Sequence, residues 1–214
     1  MKQYDSILII GSGGREHSLG WKLSNDTGKK VYFAPGNAGT ENNINIDSSD
    51  LLKLFEFAKK KNAFTIVGPE KPLSLGIVDI FEEGHMSIFG PTRSASRLES
   101  SKVFAKLFMR NRGIPTSPFS VFSDPASAIK YIESYPKNVV IKVDGLASGK
   151  GVFVCDGVKA ARDALQKIFI DGEFSKSGRR VVVEERIYGD EASFIVICDG
   201  KSIIPLASSQ DHKN

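Results

Sequence analysis

Long hydrophobic runs are missing from these 214 residues, so nothing offers an α-helical membrane span. No basic leader with an apolar centre opens the chain, and the expected compartment is the cytoplasm. Cysteine is scarce. Cys155 and Cys198 each follow an apolar strand-like run, which excludes a disulfide framework and a paired-cysteine metal site; both are expected as buried thiols. The three histidines, His17, His85 and His212, form neither a nucleophile–base set nor a metal-ligand spacing, which removes triad hydrolysis and zinc chemistry. Charge of one sign is also lacking: 29 basic against 25 acidic residues leave +4. That balance suits small anionic substrates and has no dense basic stripe for nucleic acid. The one cationic run, Lys59-Lys60-Lys61, reads as the solvated C-terminal end of a helix. Repeats and low-complexity tracts are absent, and the length accommodates one large or two small cores.

What is present is an alternation. Residues 6–10 form an apolar run that ends at Gly11-Ser12-Gly13-Gly14, with a helix over 15–23. A strand over 31–34 stops at Pro35-Gly36-Asn37, and Leu51, Leu52, Leu54, Phe55 and Ala58 carry a helical period. A strand over 64–67 ends at Gly68-Pro69, followed by a helix over 73–83 and a strand over 87–89. Such alternation predicts an α/β, Rossmann-like parallel sheet with helices on both faces. Its glycine- and proline-bearing loops lie at the strand ends where such sheets bind ligands. After Gly90-Pro91 the character changes: a helix over 101–112, a stiff linker Ile114-Pro115-Thr116-Ser117-Pro118, and strands over 119–122, 139–143, 151–154 and 180–184. Helices are expected over 125–135 and 158–170, and further strands over 192–198 and 202–205. A boundary is expected near 90–100 and a weaker one near Gly189.

Three segments carry chemistry. Gly11-Ser12-Gly13-Gly14-Arg15-Glu16-His17 joins a strand to a helix, where bare amides bind anions. A dinucleotide fingerprint needs glycine where Glu16 stands, so a phosphate site is expected there and an NAD site is not; a tight turn without ligand is the competing reading. The segment from Lys142 through Asp144-Gly145-Leu146-Ala147-Ser148-Gly149-Lys150-Gly151 lies between two strands. It therefore lacks the strand-to-helix context of a P-loop and reads as a flap over phosphates or as a plain surface hairpin. Lys142, at the end of a buried strand, places a cation at a fixed point. In Val181-Val182-Val183-Glu184-Glu185-Arg186-Ile187-Tyr188-Gly189-Asp190-Glu191 a buried strand runs into carboxylates, which need a ligand, a lysine or solvent.

Taken in order, these segments resemble the phosphoribosylamine–glycine ligases (glycinamide ribonucleotide synthetases), a family of ATP-grasp enzymes. Further matching stretches are Ala34 to Thr40, Thr65-Ile66-Val67-Gly68-Pro69-Glu70, Ile88-Phe89-Gly90-Pro91-Thr92, Ser101-Lys102 and Ser209-Gln210-Asp211-His212-Lys213. Each is weak alone; their order over the whole chain is specific. The resemblance implies a pre-ATP-grasp domain over 1–95, the α+β small lobe over 96–188 and the first strands of the large lobe over 189–214. It implies that Lys102 and Lys142 meet ATP phosphates as the catalytic cations, beneath a flap of Gly145, Leu146, Ser148, Gly149, Lys150 and Gly151. Glu184 and Ile187 would hold adenine, with Glu185 beside them, and Glu191 would take the ribose hydroxyls. Gly11, Gly13, Gly14, Arg15, Glu16, Pro35, Gly36, Asn37, Gly68, Pro69 and Glu70 would line the phosphoribosylamine pocket, approached by Asp211, His212 and Lys213. The implied reaction activates glycine as glycyl phosphate and passes the glycyl group to the amine of 5-phosphoribosylamine, in purine synthesis. Magnesium would accompany ATP, on ligands expected beyond residue 214, so the chain is expected to be the front part of a longer enzyme, inactive without its C-terminal part and with apolar edges on its last strands. The alternatives are another ATP-grasp carboxylate–amine ligase, such as a biotin carboxylase relative, or a nucleotide-binding module without catalysis.

Overall fold

The computed structural model describes residues 3–135, 137–147, 149–174 and 180–210. The first sheet contains β1 (Ser6–Gly11), β2 (Lys30–Pro35), β3 (Ala63–Val67) and β4 (Ile88–Phe89), all parallel in the order β2-β1-β3-β4. Every residue of the central β1 is buried, which is why it reads as an unbroken apolar run rather than an alternation. Its side chains divide by parity. Leu8 and Ile10 pack under α2 (Leu51–Lys60) and α4 (Ile77–Glu83); Ile7 and Ile9 pack with Val31 and Phe33 on the side of α1 (Gly14–Thr27). Close approach of α1 requires Gly20, since a Cβ there would lie 2.1 Å from the Phe33 ring. The single helix expected over 73–83 is two, α3 (Glu70–Leu75) and α4, because Gly76 takes φ 95° between them. Pro72 is accommodated in the first turn of α3, where its missing N–H is no loss.

Past α5 (Arg97–Ser100) and α6 (Lys102–Asn111), the second sheet is antiparallel: β5 (Phe119–Phe122), β6 (Val139–Val143), β7 (Val152–Cys155) and β8 (Val181–Glu185), ordered β5-β8-β6-β7. One face carries Val139, Ile141, Val143, Val181 and Val183 and is closed by α7 (Pro125–Ser134) and α8 (Gly157–Phe169). The other face carries Val140, Lys142, Val182 and Glu184 and is only partly covered. Cys155 sits in this core as expected.

The strand expected over 192–198 is broken. Ala192–Ser193 (β9) pairs with β12 (Ser209–Gln210), whereas Val196–Cys198 (β10) forms a hairpin with β11 (Ile203–Pro205). Phe194 and Ile195 lie between the two pairings, with the Ile195 carbonyl accepting from Leu206 N–H at 2.9 Å. Contrary to expectation, Cys198 is exposed, because among the described residues no element covers either face of this hairpin; Ile197, Ile203 and Ile204 are exposed beside it, the apolar exposure expected of the last strands. Among the described residues no helix is long and apolar enough to cross a membrane.

Candidate functional site

The loops after β1, β2 and β3 meet at one edge of the first sheet. Gly36 N–H donates to the Gly11 carbonyl at 3.1 Å, Gly68 N–H to the Ile10 carbonyl at 2.9 Å, and the Asn37 amide to the Ser12 carbonyl at 2.9 Å. Arg15 and Glu70 face each other at 3.9 Å, both open to solvent. The expected residues Gly11, Gly13, Gly14, Arg15, Glu16, Pro35, Gly36, Asn37, Gly68, Pro69 and Glu70 are therefore one neighbourhood.

Glu16 explains the glycines. Its side chain turns back so that Oε2 accepts the Gly13 N–H at 2.6 Å, as a third-position carboxylate does at a helix start. The residue is 5% exposed, and a Cβ on Gly68, Gly11 or Gly13 would lie 2.1, 2.6 or 2.7 Å from it. The cradle whose spacing predicts a bound phosphate thus holds the protein's own carboxylate. A cavity of about 320 Å³ between α1 and β2, bordered by His17, Trp21, Lys30 and Phe33, contains none of the expected site residues.

On the open face of the second sheet, cross-strand register puts Lys142 diagonal to Glu184, since Lys142 pairs Val182 and Val140 pairs Glu184. Glu184 holds a cation on each oxygen: Lys142 on Oε1 and Lys106 on Oε2, the latter at 2.6 Å. Lys106 also donates to Thr116 Oγ1 and Ser117 Oγ, both at 2.7 Å, and the Ser117 hydroxyl donates to Glu184 Oε2 at 3.1 Å. The side chains of Lys106 and Glu184 are 9% and 7% exposed, that of Lys142 34%. Burial alone would push the Glu184 carboxyl up; the two lysines outweigh it and hold the group below the ordinary carboxylate value. Lys106 escaped the sequence reading. Its signal was a lysine three residues from Val103 on the buried stripe of an amphipathic helix, where a cation needs a partner.

Glu185 does not share that face. Strand alternation turns it to the opposite side, where it accepts from Tyr135 Oη at 3.1 Å and Lys137 at 2.5 Å. The hydrogen bond from Lys137, ahead of that from Tyr135, draws its carboxyl below the usual range.

The glycine hairpin is anchored at its base. Asp144 Oδ1 accepts from Ser101 Oγ at 2.8 Å and from Val103 N–H at 3.2 Å at the start of α6, and Oδ2 pairs with Arg180 at 2.7 Å. Lys102 donates to the Gly145 carbonyl at 2.9 Å, so the two expected lysines stand at different ends of the face: one on the hairpin base, one on Glu184. Gly145 and Gly149 take φ of 104° and 78°, and Gly151 leaves no room for a Cβ, which would meet Ala147 Cβ at 2.7 Å. Lys150 is exposed and Leu146 stands at the hairpin surface. Ile187 and Glu191 lie exposed on the segment leaving β8, which is tied back by Arg186 N–H to the Asn138 carbonyl at 3.0 Å. Ser148, Asp211, His212 and Lys213 lie outside the described residues. Among the described residues no group of three His, Cys, Asp or Glu side chains is arranged to hold a metal ion.

Comparison with known proteins gives a consistent result along the whole chain. Phosphoribosylamine–glycine ligase of Vibrio parahaemolyticus is 47% identical over 214 residues, covering 97% of this chain and 50% of the relative; that of Haemophilus influenzae is 46% identical over 215 residues. The chain spans about half the length of the curated relatives it matches. The crystal structure of phosphoribosylamine–glycine ligase from Thermotoga maritima superposes with a TM-score of 0.80 at 31% identity, over 95% of this chain and 49% of that one. A biotin carboxylase complex from Campylobacter jejuni reaches 0.73 at 19% identity over 95% of this chain and 50% of that one, a likeness of fold alone. The family model for the phosphoribosylglycinamide synthetase N domain matches residues 5–99, and that for the ATP-grasp (A) domain of the same synthetase matches residues 100–214. The two matches adjoin along the chain, which therefore belongs to the phosphoribosylglycinamide synthetase family, matching its N domain and its ATP-grasp (A) domain.

Proposed function

We propose that this chain contributes the nucleotide-binding face and the amine-binding loops of an ATP-dependent ligase that joins glycine to 5-phosphoribosylamine, yielding glycinamide ribonucleotide, ADP and phosphate. The observation that carries the reading is the open face of the second sheet. There a half-exposed Lys142, a buried ionised Glu184 and a glycine hairpin based on Asp144 and Lys102 lie together. Apolar Val140, partly exposed on the same face above the buried Val182, offers a surface for a base. Lys142 and Lys102 supply the cations a triphosphate needs, and the hairpin supplies backbone amides that glycine lets approach closely.

In this reading a glycine carboxylate oxygen attacks the terminal phosphorus and ADP leaves. The amine of phosphoribosylamine then attacks the acyl carbon of glycyl phosphate, forming the C–N bond as the C–O bond breaks; phosphate leaves with that electron pair, and the nitrogen loses a proton to give the amide. The chain's contribution is positioning and charge neutralisation. Magnesium accompanies the nucleotide in such chemistry, and among the described residues no cluster of His, Cys, Asp or Glu fits it. Residues 1–95 take the phosphoribosylamine. Because Glu16 already fills the start of α1, that loop suits the donor groups of the substrate, its amine or hydroxyls, better than its phosphate.

ADP release tests the reading, measured with ATP, magnesium, glycine and freshly generated phosphoribosylamine. It is run on the chain alone and on the chain mixed with the second half of a relative such as the Vibrio parahaemolyticus ligase. Release that needs both co-substrates supports it; nucleotide binding without co-substrate-dependent release in either mixture replaces it with a non-catalytic nucleotide module.

A further inference from the structure

The cluster around Glu184 holds one more lysine than phosphate binding needs. We propose that Lys106 is a positioning residue that keeps Glu184 ionised when Lys142 leaves it for the phosphates of a nucleotide, so that one lysine can serve two partners in turn. The proposal rests on the nucleotide reading above.

Geometry divides the labour. Glu184 Oε2 is held by Lys106 and by the Ser117 hydroxyl, Oε1 by Lys142. Lys106 cannot leave: it is 9% exposed and also tied to Thr116 Oγ1, Ser117 Oγ and, at 3.3 Å, the Ser117 carbonyl. Lys142 is 34% exposed and, among the described residues, is held by Glu184, so it is the lysine with room to move. Around the carboxylate, α6 presents Lys106, β6 presents Lys142 and the stretch before β5 presents Ser117. The β5 residue paired with Glu184 is the apolar Phe119, with Arg110 stacked on its ring at 5.1 Å. An ionised carboxylate 7% exposed does not persist without a counter-charge; it takes up a proton. With Lys106 in place, the departure of Lys142 leaves a paired carboxylate. Without Lys106, the same departure strands it. Turning Lys142 to phosphate would then draw a proton onto Glu184, replacing an acceptor aimed at the open face by a hydroxyl donor.

Calorimetric titration of the 214-residue chain with a non-hydrolysable β,γ-imido analogue of ATP, at pH 6 in two buffers of different ionisation enthalpy, counts protons taken up on binding. The unsubstituted chain and Lys106→Arg are expected to take up about none, and Lys106→Met close to one per nucleotide bound. A purely structural role for Lys106 would weaken binding without this proton. Binding by Lys106→Met with no uptake overturns the hand-over and leaves the nucleotide reading intact, whereas no binding by the unsubstituted chain overturns the nucleotide reading and the hand-over with it. If Lys106→Met does not fold, Lys142→Met decides without nucleotide: the ¹³C carboxyl signal of Glu184 must remain that of the ionised form at pH 6, and a protonated signal overturns the proposal.

Discussion

Replacing Gly68 by Ala tests whether Glu16 is the reason for the glycines of the first site. The new Cβ would lie 2.1 Å from Glu16 Oε1 and 2.5 Å from its Cγ and Cδ. Glu16 cannot swing away freely, because it is 5% exposed and its Oε2 is engaged by the Gly13 N–H. Overpacking of this kind costs about 1–3 kcal/mol, taken here as ~2 kcal/mol. Glu16→Ala removes the acceptor at the helix start and costs ~1 kcal/mol. Independent sites would make the double variant ~3 kcal/mol less stable than the parent. If the clash is with Glu16, the double variant costs only about as much as Glu16→Ala alone, a coupling of ~2 kcal/mol. Trp21 is the one tryptophan of the chain and sits on α1, five residues from Glu16, so its fluorescence follows the relevant helix during urea or thermal unfolding. For a chain of this length ~2 kcal/mol corresponds to roughly 4–8 °C in Tm. Additive losses, or a Gly68→Ala chain as stable as the parent, would refute the assignment.

Lys142→Ala should weaken ATP binding about 10- to 100-fold, the scale of one charge-assisted contact, while far-UV circular dichroism stays unchanged because Lys106 still pairs Glu184; equal affinity in a folded variant removes Lys142 from the site. Glu184 is held below the ordinary carboxylate value, so its contribution to stability is complete above the unfolded carboxylate range and lost as pH falls through the lower folded value. Urea midpoints from pH 7 down to 3 should therefore fall less steeply in Glu184→Gln than in the parent, and parallel curves would contradict the pairing. Burial raises the Cys155 thiol to about 11, with Asp156 adding to the effect, whereas Cys198 is exposed. A maleimide reagent at neutral pH should therefore add once to the native chain, at Cys198, and twice after unfolding, as read by mass spectrometry.

Much of this protein is written in local patterns. A parallel strand buried on both faces must be apolar throughout, so β1 was legible as a run. A chain that leaves such a strand must turn, so Gly11, Pro35 and Gly68 marked the sheet edge where the three loops meet. Lys142 and Glu184 stood out as charges at the ends of apolar strands, and the opposite facing of Glu184 and Glu185 followed from the two-residue period, although their shared chemistry masked it. Tertiary structure alone decided what each charge meets. Ser117 reaches Glu184 across 67 residues and Ser101 reaches Asp144 across 43, and no local pattern encodes such pairings. Nor did spacing reveal that the cradle at Gly11 and Gly13 is filled by Glu16, because a glycine that admits a phosphate and one that admits a neighbouring side chain look the same along the chain. Periodicity registers which face of an element avoids water; it does not register which buried charge finds which partner, because that depends on how separately formed elements pack.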